Sequence, residues 1–184
     1  MATKTALGLV EFSNIAQGIA ATDIMVKAAP VELVQSLSLC PGKFVTLVAG
    51  STSAVKTSVT AGTGCMPTCT IDSLILPNVH PGVIPALAGA TRLVLDGQAL
   101  GIIETFSVAA ALRAADTAAK KGQVVLGDIR LARGMGGKAL VLIIGNVSAV
   151  QAAVQAGEES VSDGFLVSTA LLTAPAQALL EKVL

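Results

Sequence analysis

The chain has 184 residues, room for one ordinary domain or two small ones. It is 53% hydrophobic and 13% charged, with a mean hydropathy of +0.76 and a formal charge of zero from 12 basic and 12 acidic side chains. This composition excludes an electrostatic nucleic-acid binder, which needs excess basic charge and stacking aromatics, and suits a subunit that buries much of its exterior against other subunits.

A membrane span needs about 18 or more consecutive apolar residues. The nearest candidate, Ala139 to Ile144, is short and runs into Gly145 and Asn146, so no membrane partner is expected. Met1 to Thr5 lead directly into strand-like sequence. With no signal peptide, the cytoplasm is the expected compartment. The three cysteines are then not expected to form a disulfide framework.

The elements come in two rounds. Ala6-Leu7-Gly8-Leu9-Val10-Glu11 is repeated as Ala99-Leu100-Gly101-Ile102-Ile103-Glu104, an offset of 93. Each run reads as a short strand, Leu7 to Glu11 and Leu100 to Glu104. A helix follows, with Ile15, Ile19, Thr22 and Val26 at helical spacing and Val108, Leu112, Ala115 and Ala119 in the same phase. These are expected to form the core-facing side. Asp23 aligns with Asp116, and Lys27 with Lys120. A second strand is expected over Val31 to Leu39 and again over Val124 to Ala132.

Next comes Leu39-Cys40-Pro41-Gly42-Lys43. Proline and glycine cannot continue a regular element here, so Cys40 is displayed at a tight turn. The counterpart is Gly134-Met135-Gly136-Gly137-Lys138, now at an offset of 95, with Met135 where Cys40 stands. It lacks the Walker spacing and leads into a strand, so it is not read as a phosphate loop. Third strands span Phe44 to Ala49 and Ala139 to Ile144. Short helices follow Gly50 and Gly145, with Ser53 and Ser148 as expected caps and Val55, Val59, Val150 and Val154 facing the core. The copies then diverge. The first runs through Cys65-Met66-Pro67-Thr68-Cys69 to a strand near Ile71 to Leu76 and then to His80. The second runs through a strand from Gly164 to Leu172 to a final helix, Ala176 to Val183. A repeat this long means two domains, 1–92 and 93–184, each an α/β (α+β sandwich) fold with one sheet and helices against it.

The strand Leu7 to Glu11, the segment Asp23-Ile24-Met25-Val26-Lys27-Ala28-Ala29, the glycine loop and Gly145-Asn146-Val147-Ser148-Ala149-Val150 together resemble the bacterial microcompartment (BMC) shell domain. Two copies in one chain resemble a tandem-domain shell protein. Cys40-Pro41-Gly42-Lys43-Phe44, with Leu76-Pro77-Asn78-Val79-His80, is similar to the type found in propanediol-utilisation compartments. The resemblance implies a homotrimer shaped as a pseudohexamer, tiling edge to edge with neighbouring shell proteins in the microcompartment shell. It implies a central pore lined by Leu39, Cys40, Pro41, Gly42, Met135 and Gly136, and edge contacts through Lys27 and Lys120. It also implies one [4Fe-4S] cluster per trimer, ligated by Cys40 of each chain, carrying electrons across the shell or else delivering or repairing clusters for enclosed redox enzymes. Symmetry makes one cysteine per chain into three convergent thiolates.

Other residues have quieter readings. Cys65 and Cys69 have no evident ligand partner in sequence and are read as small loop residues. His80, between Pro77-Asn78 and Pro81-Gly82, is read as structural. Glu11 and Glu104 recur through duplication and need no catalytic role. Two rival functions stand beside the cluster-bearing shell protein. One is a shell protein with a metabolite pore and no cluster. The other is a small α/β ligand-binding regulator or enzyme, for which no nucleophile, base and acid are evident.

Overall fold

The structure, a computed structural model, describes residues 6–91, 98–132 and 134–183. Eight strands and six helices are described. They run β1 (Ala6–Phe12), α1 (Ile15–Ala28), β2 (Glu32–Leu39), β3 (Lys43–Gly50), α2 (Thr52–Cys65), β4 (Thr70–Pro77) and α3 (Val83–Leu87). Then come β5 (Ala99–Thr105), α4 (Val108–Lys121), β6 (Val125–Arg130), β7 (Ala139–Gly145), α5 (Val147–Glu159), β8 (Leu166–Leu172) and α6 (Gln177–Val183). Each expected strand is present to within a few residues. α3 is an element that the sequence pattern did not announce. The chain forms two compact units, residues 1–79 with 133–137 and residues 80–132 with 138–184. The expected boundary between 92 and 93 lies outside the described residues.

In the first unit the sheet order is β2-β3-β1-β4, all antiparallel. The central β1 is buried along its whole length. α1 and α2 lie against one face of the sheet. Gly8 explains how α2 gets so close: a β-carbon there would sit 2.6 Å from both Val55 and Val59. Both valines are buried, as expected.

The second unit repeats this plan as β6-β7-β5-β8. Gly101 takes the place of Gly8, with Val150 and Val154 again at 2.6 Å from a hypothetical β-carbon. The other face of this sheet carries Leu100, Leu142 and Ile144, and α6 covers it through Leu180 with Val183 alongside. Burying side chains of this size is worth about 1.5–3 kcal/mol each.

Two local expectations are corrected. On α1 the buried side is Gly18, Ala21, Thr22 and Met25, whereas Ile15 is 41% and Ile19 56% exposed. The reason is close approach: Gly18 sits directly over the Phe44 ring, so the small residues, rather than the isoleucines, face the sheet. On α4, by contrast, Val108, Leu112, Ala115 and Ala119 are all buried. The caps also differ. Ser51, not Ser53, caps α2 by accepting the Ala54 amide at 3.2 Å, and Asn146, not Ser148, occupies the cap position of α5.

Candidate functional site

The turn between β2 and β3 begins at Leu39, whose side chain is buried. Cys40, Pro41 and Gly42 follow on the surface. The Gly42 amide donates to the Leu39 carbonyl at 2.9 Å, closing the turn. Gly42 has φ of +92°, a region that a side chain disfavours. The Cys40–Pro41 peptide is cis. The result is a short, closed turn that holds an exposed, free thiol at its tip.

The second loop belongs to the same compact unit as the first. Gly134, Gly136 and Gly137 all have positive φ, and Met135 is half-buried between them. Gly137 lies against the first turn so closely that a β-carbon would be 3.0 Å from the Cys40 carbonyl oxygen and 3.1 Å from Pro41 Cδ. The structure therefore brings together two segments about 95 positions apart in sequence, the cysteine turn and its thioether-bearing twin. Glycine at 137 is demanded twice, by backbone conformation and by this approach.

Each loop is anchored by a lysine on its far side. Lys43 Nζ lies 2.8 Å from Oε1 of Glu11, a carboxylate completely removed from solvent on β1. Lys138 Nζ lies 3.0 Å from Oε1 of Glu104 on β5, and the Ser168 hydroxyl donates to Oε2 at 3.0 Å. The Lys138 hydrogen bond, helped by Ser168, holds the Glu104 carboxyl below the usual carboxylate range against the opposing effect of burial. These pairs turn both lysine ammonium groups back to the sheet. The duplication carried the signal for them: Glu11 and Glu104 recur together with Lys43 and Lys138, as partners facing one another would.

The remaining candidates lie elsewhere. Lys27 and Lys120 pair with Asp23 and Asp116 one helical turn earlier, each at 2.6 Å. Lys27 is well exposed and Lys120 less so. Cys65 donates to the Gly62 carbonyl at 3.1 Å, and Cys69 Sγ accepts from Asn14 Nδ2 at 3.2 Å. His80 Nδ1 accepts the Gly82 amide at 3.1 Å and so braces a turn. Among the described residues no three His, Cys, Asp or Glu side chains gather as a metal site within one chain. No described helix is long and apolar enough to cross a membrane.

Two repeated four-stranded units, each with a glycine-bearing strand under a helix and a loop pinned by a lysine–glutamate pair, match a known domain. The BMC domain family model matches residues 6–79 and again 99–175. The chain belongs to the BMC family of microcompartment shell proteins. It is 40% identical, over 95% of its own length and 95% of the relative's, to the bacterial microcompartment shell protein PduT of Citrobacter freundii. Among solved structures it is similar to a microcompartment protein from Desulfitobacterium hafniense, with 47% identity, a TM-score of 0.86, and coverage of 96% of this chain and 98% of that one. A fused, permuted hexameric shell protein from the RMM microcompartment shares the fold at 20% identity, with a TM-score of 0.65 over 84% of this chain and 80% of that one. The tandem BMC fold and a place in the microcompartment shell follow from these matches.

Proposed function

We infer that three copies of this chain form a pseudohexameric shell tile whose Cys40 turns meet at a central pore and together ligate an iron–sulfur cluster, one [4Fe-4S] per trimer. The observation that supports this most is the exposed Cys40 thiol on a closed turn, backed by Gly137 and steadied through Lys43 and Glu11. A threefold axis beside that turn gives three equivalent thiolates, the ligand type that holds such clusters. One chain gathers no ligand set of its own among the described residues, so a cluster would need a set shared between copies. Met135 on the neighbouring loop is a thioether, a weak donor, and lines the pore with Pro41, Gly42 and Gly136 rather than binding iron, whereas the side chain of Leu39, expected in the same lining, is buried within the chain.

When bound, the cluster supplies one-electron chemistry. The chain's part is to hold the thiols in place and to shield them from bulk water with the two loops. The tile then passes electrons between the enclosed redox enzymes and the outside. Lys27 and Lys120 face neighbouring tiles at the edge of each unit.

Anaerobic iron and sulfide analysis of wild type beside Cys40→Ser tests the reading. About four irons per three chains are expected in wild type, and none in Cys40→Ser, with the assembly intact. Cys65→Ser and Cys69→Ser should retain the iron. A colourless, iron-free wild type after anaerobic reconstitution would refute the cluster and leave a metabolite pore through the same loops.

A further inference from the structure

The iron site needs only Cys40 and leaves Cys65 and Cys69 unused. Both lie in the first unit, at the two ends of the link from α2 to β4. Cys65 is the last residue of α2. The Met66 carbonyl then accepts the amides of Cys69 and Thr70, each at 3.1 Å, so the chain doubles back between the two cysteines. Both thiols are free and half-buried, and Pro67 and Thr68 at the tip of the turn are exposed.

The duplicate shows that the fold asks for sulfur at neither place. Ser160 is the counterpart of Cys65. Its hydroxyl donates to the Gly157 carbonyl at 2.7 Å, as the Cys65 thiol donates to the Gly62 carbonyl at 3.1 Å. Phe165 is the counterpart of Cys69. Its carbonyl accepts the Phe106 amide at 2.7 Å, as the Cys69 carbonyl accepts the Ser13 amide at 2.8 Å. A hydroxyl and a phenyl ring thus fill these positions with the same backbone pattern.

The two sulfurs are held in different roles. Cys65 Sγ is a donor and so carries its proton. Cys69 Sγ is an acceptor: Asn14 Nδ2 donates to it at 3.2 Å, and the Thr68 hydroxyl lies 3.9 Å away. Asn14 stands at the N-cap position of α1, where an asparagine ordinarily accepts an amide of the first turn. Here it makes no such bond. At the same place on α4, Ser107 does cap, accepting the Ala110 amide at 3.0 Å. The Asn14 side chain thus serves the sulfur rather than the helix. A surface sulfur with an amide donor aimed at it suits the thiolate, the reactive form of cysteine.

We propose that Cys69 and Cys65 form a redox-active dithiol oxidised by hydroperoxides, with Cys69 as the attacking thiolate and Cys65 as the resolving thiol. The Cys69 sulfur attacks the terminal oxygen of the hydroperoxide. An S–O bond forms, the O–O bond breaks, and the alkoxide takes up the proton that Cys69 gave up and leaves as an alcohol. The Cys65 sulfur then attacks the Cys69 sulfur. An S–S bond forms, the S–O bond breaks, and hydroxide leaves with the Cys65 proton as water. Two thiols have then lost two electrons to one hydroperoxide, and a dithiol reductant returns them. Asn14 is a positioning residue, holding the Cys69 sulfur before the attack. The disulfide draws Cys65 off the Gly62 carbonyl and Cys69 off Asn14, which leaves Asn14 free to cap α1. Neither the iron site nor the assembly is needed for this chemistry.

The test is peptide mapping of the full chain after treatment with hydrogen peroxide, with thiols alkylated before and after reduction by dithiothreitol. Trypsin separates the sites: Cys65 and Cys69 fall in one peptide, 57–92, and Cys40 in another, 28–43. In wild type, Cys65 and Cys69 are expected to lose alkylation together and to regain it on reduction. Cys40→Ser should behave in the same way. Cys65→Ser, which keeps the bond that Ser160 makes in the duplicate, should stop Cys69 at the sulfenic acid, trapped as a dimedone adduct. Cys69→Ser should slow the oxidation of Cys65 about tenfold. Asn14→Ala should slow that of Cys69 about threefold with an unchanged circular dichroism spectrum. If that spectrum changes, Asn14→Asp replaces it, with the same slowing expected. Cys65 and Cys69 that both stay open to alkylation once Cys40 is oxidised would overturn the proposal, as would disulfides found only between chains or with Cys40. A dimedone adduct on Cys65 in Cys69→Ser, with none on Cys69 in Cys65→Ser, would overturn the assigned roles. Unchanged Cys69 oxidation in the Asn14 variant would overturn the role of Asn14.

Discussion

On α1, Ile15 and Ile19 face solvent; at the same places on α4, Val108 and Leu112 are completely buried. The two helices share their length and an aspartate–lysine pair one turn apart. The difference lies in what each helix has over its outer side. α4 has the segment from His80 to Leu87, and alanines at 110, 111, 114 and 118 let neighbours close in around it. α1 has no such cover among the described residues. A helix can thus keep its own sequence logic and change its burial wholly through its neighbours.

Truncating the equivalent side chains puts this contrast to its hardest test. Leu112→Ala should destabilise the fold by about 2–5 kcal/mol, since it opens a cavity in packed surroundings. Ile19→Ala should cost less than about 0.5 kcal/mol in the dissociated chain, as exposed substitutions do. Urea unfolding of the two variants in dilute solution measures both. Equal losses would mean that α1 is covered within a single chain and that the two helices do not differ in this way.

A smaller effect is expected from the paired aspartates. Asp116 accepts the His80 amide and the Lys120 ammonium in a buried setting, so Asp116→Ala strands a donor and should cost about 1–3 kcal/mol. Asp23→Ala removes an exposed pair of the kind worth about 0.2–0.5 kcal/mol. Amide hydrogen exchange gives a second readout: His80 should lose protection in Asp116→Ala, and no amide should do so in Asp23→Ala.

Much of this was legible from residues alone, because duplication supplies its own control. A feature present at Gly8 and again at Gly101, or at Val55 and again at Val150, is tied to the fold. Strand positions followed from such pairs, and the cysteine turn from Pro41 and Gly42. The face of α1 did not, because apolar spacing marks Ile15 and Ile19 as core and cannot register that Gly18 lets Phe44 approach from another side. α3 was missed because a five-residue helix containing Pro85 has no periodicity to detect. The closeness of Cys40 and Gly137 was also hidden, since a contact between loops about 95 residues apart leaves no local pattern. The lysine–glutamate anchors were visible only as a recurrence whose meaning needed geometry.

Those anchors give the smallest and most specific prediction. Glu104 has its folded-state carboxyl lowered chiefly by the hydrogen bond from Lys138, with Ser168 adding to it. A carboxylate that binds its proton less readily when folded stabilises the fold wherever it is ionised in both states, above its unfolded value of about 4.3. That contribution is lost as pH falls through the lowered folded value. Glu104→Gln removes the charge and with it this pH dependence. Thermal melts of the two proteins should therefore differ by a few degrees near pH 7 and converge as the pH drops below about 4. Lys138→Met should show the same convergence, because it deletes the main cause of the shift from the other side. If the gap between wild type and Glu104→Gln were unchanged at low pH, the pair would act by packing alone. The second loop would then be held by its glycine conformations and its contact with Cys40 rather than by charge.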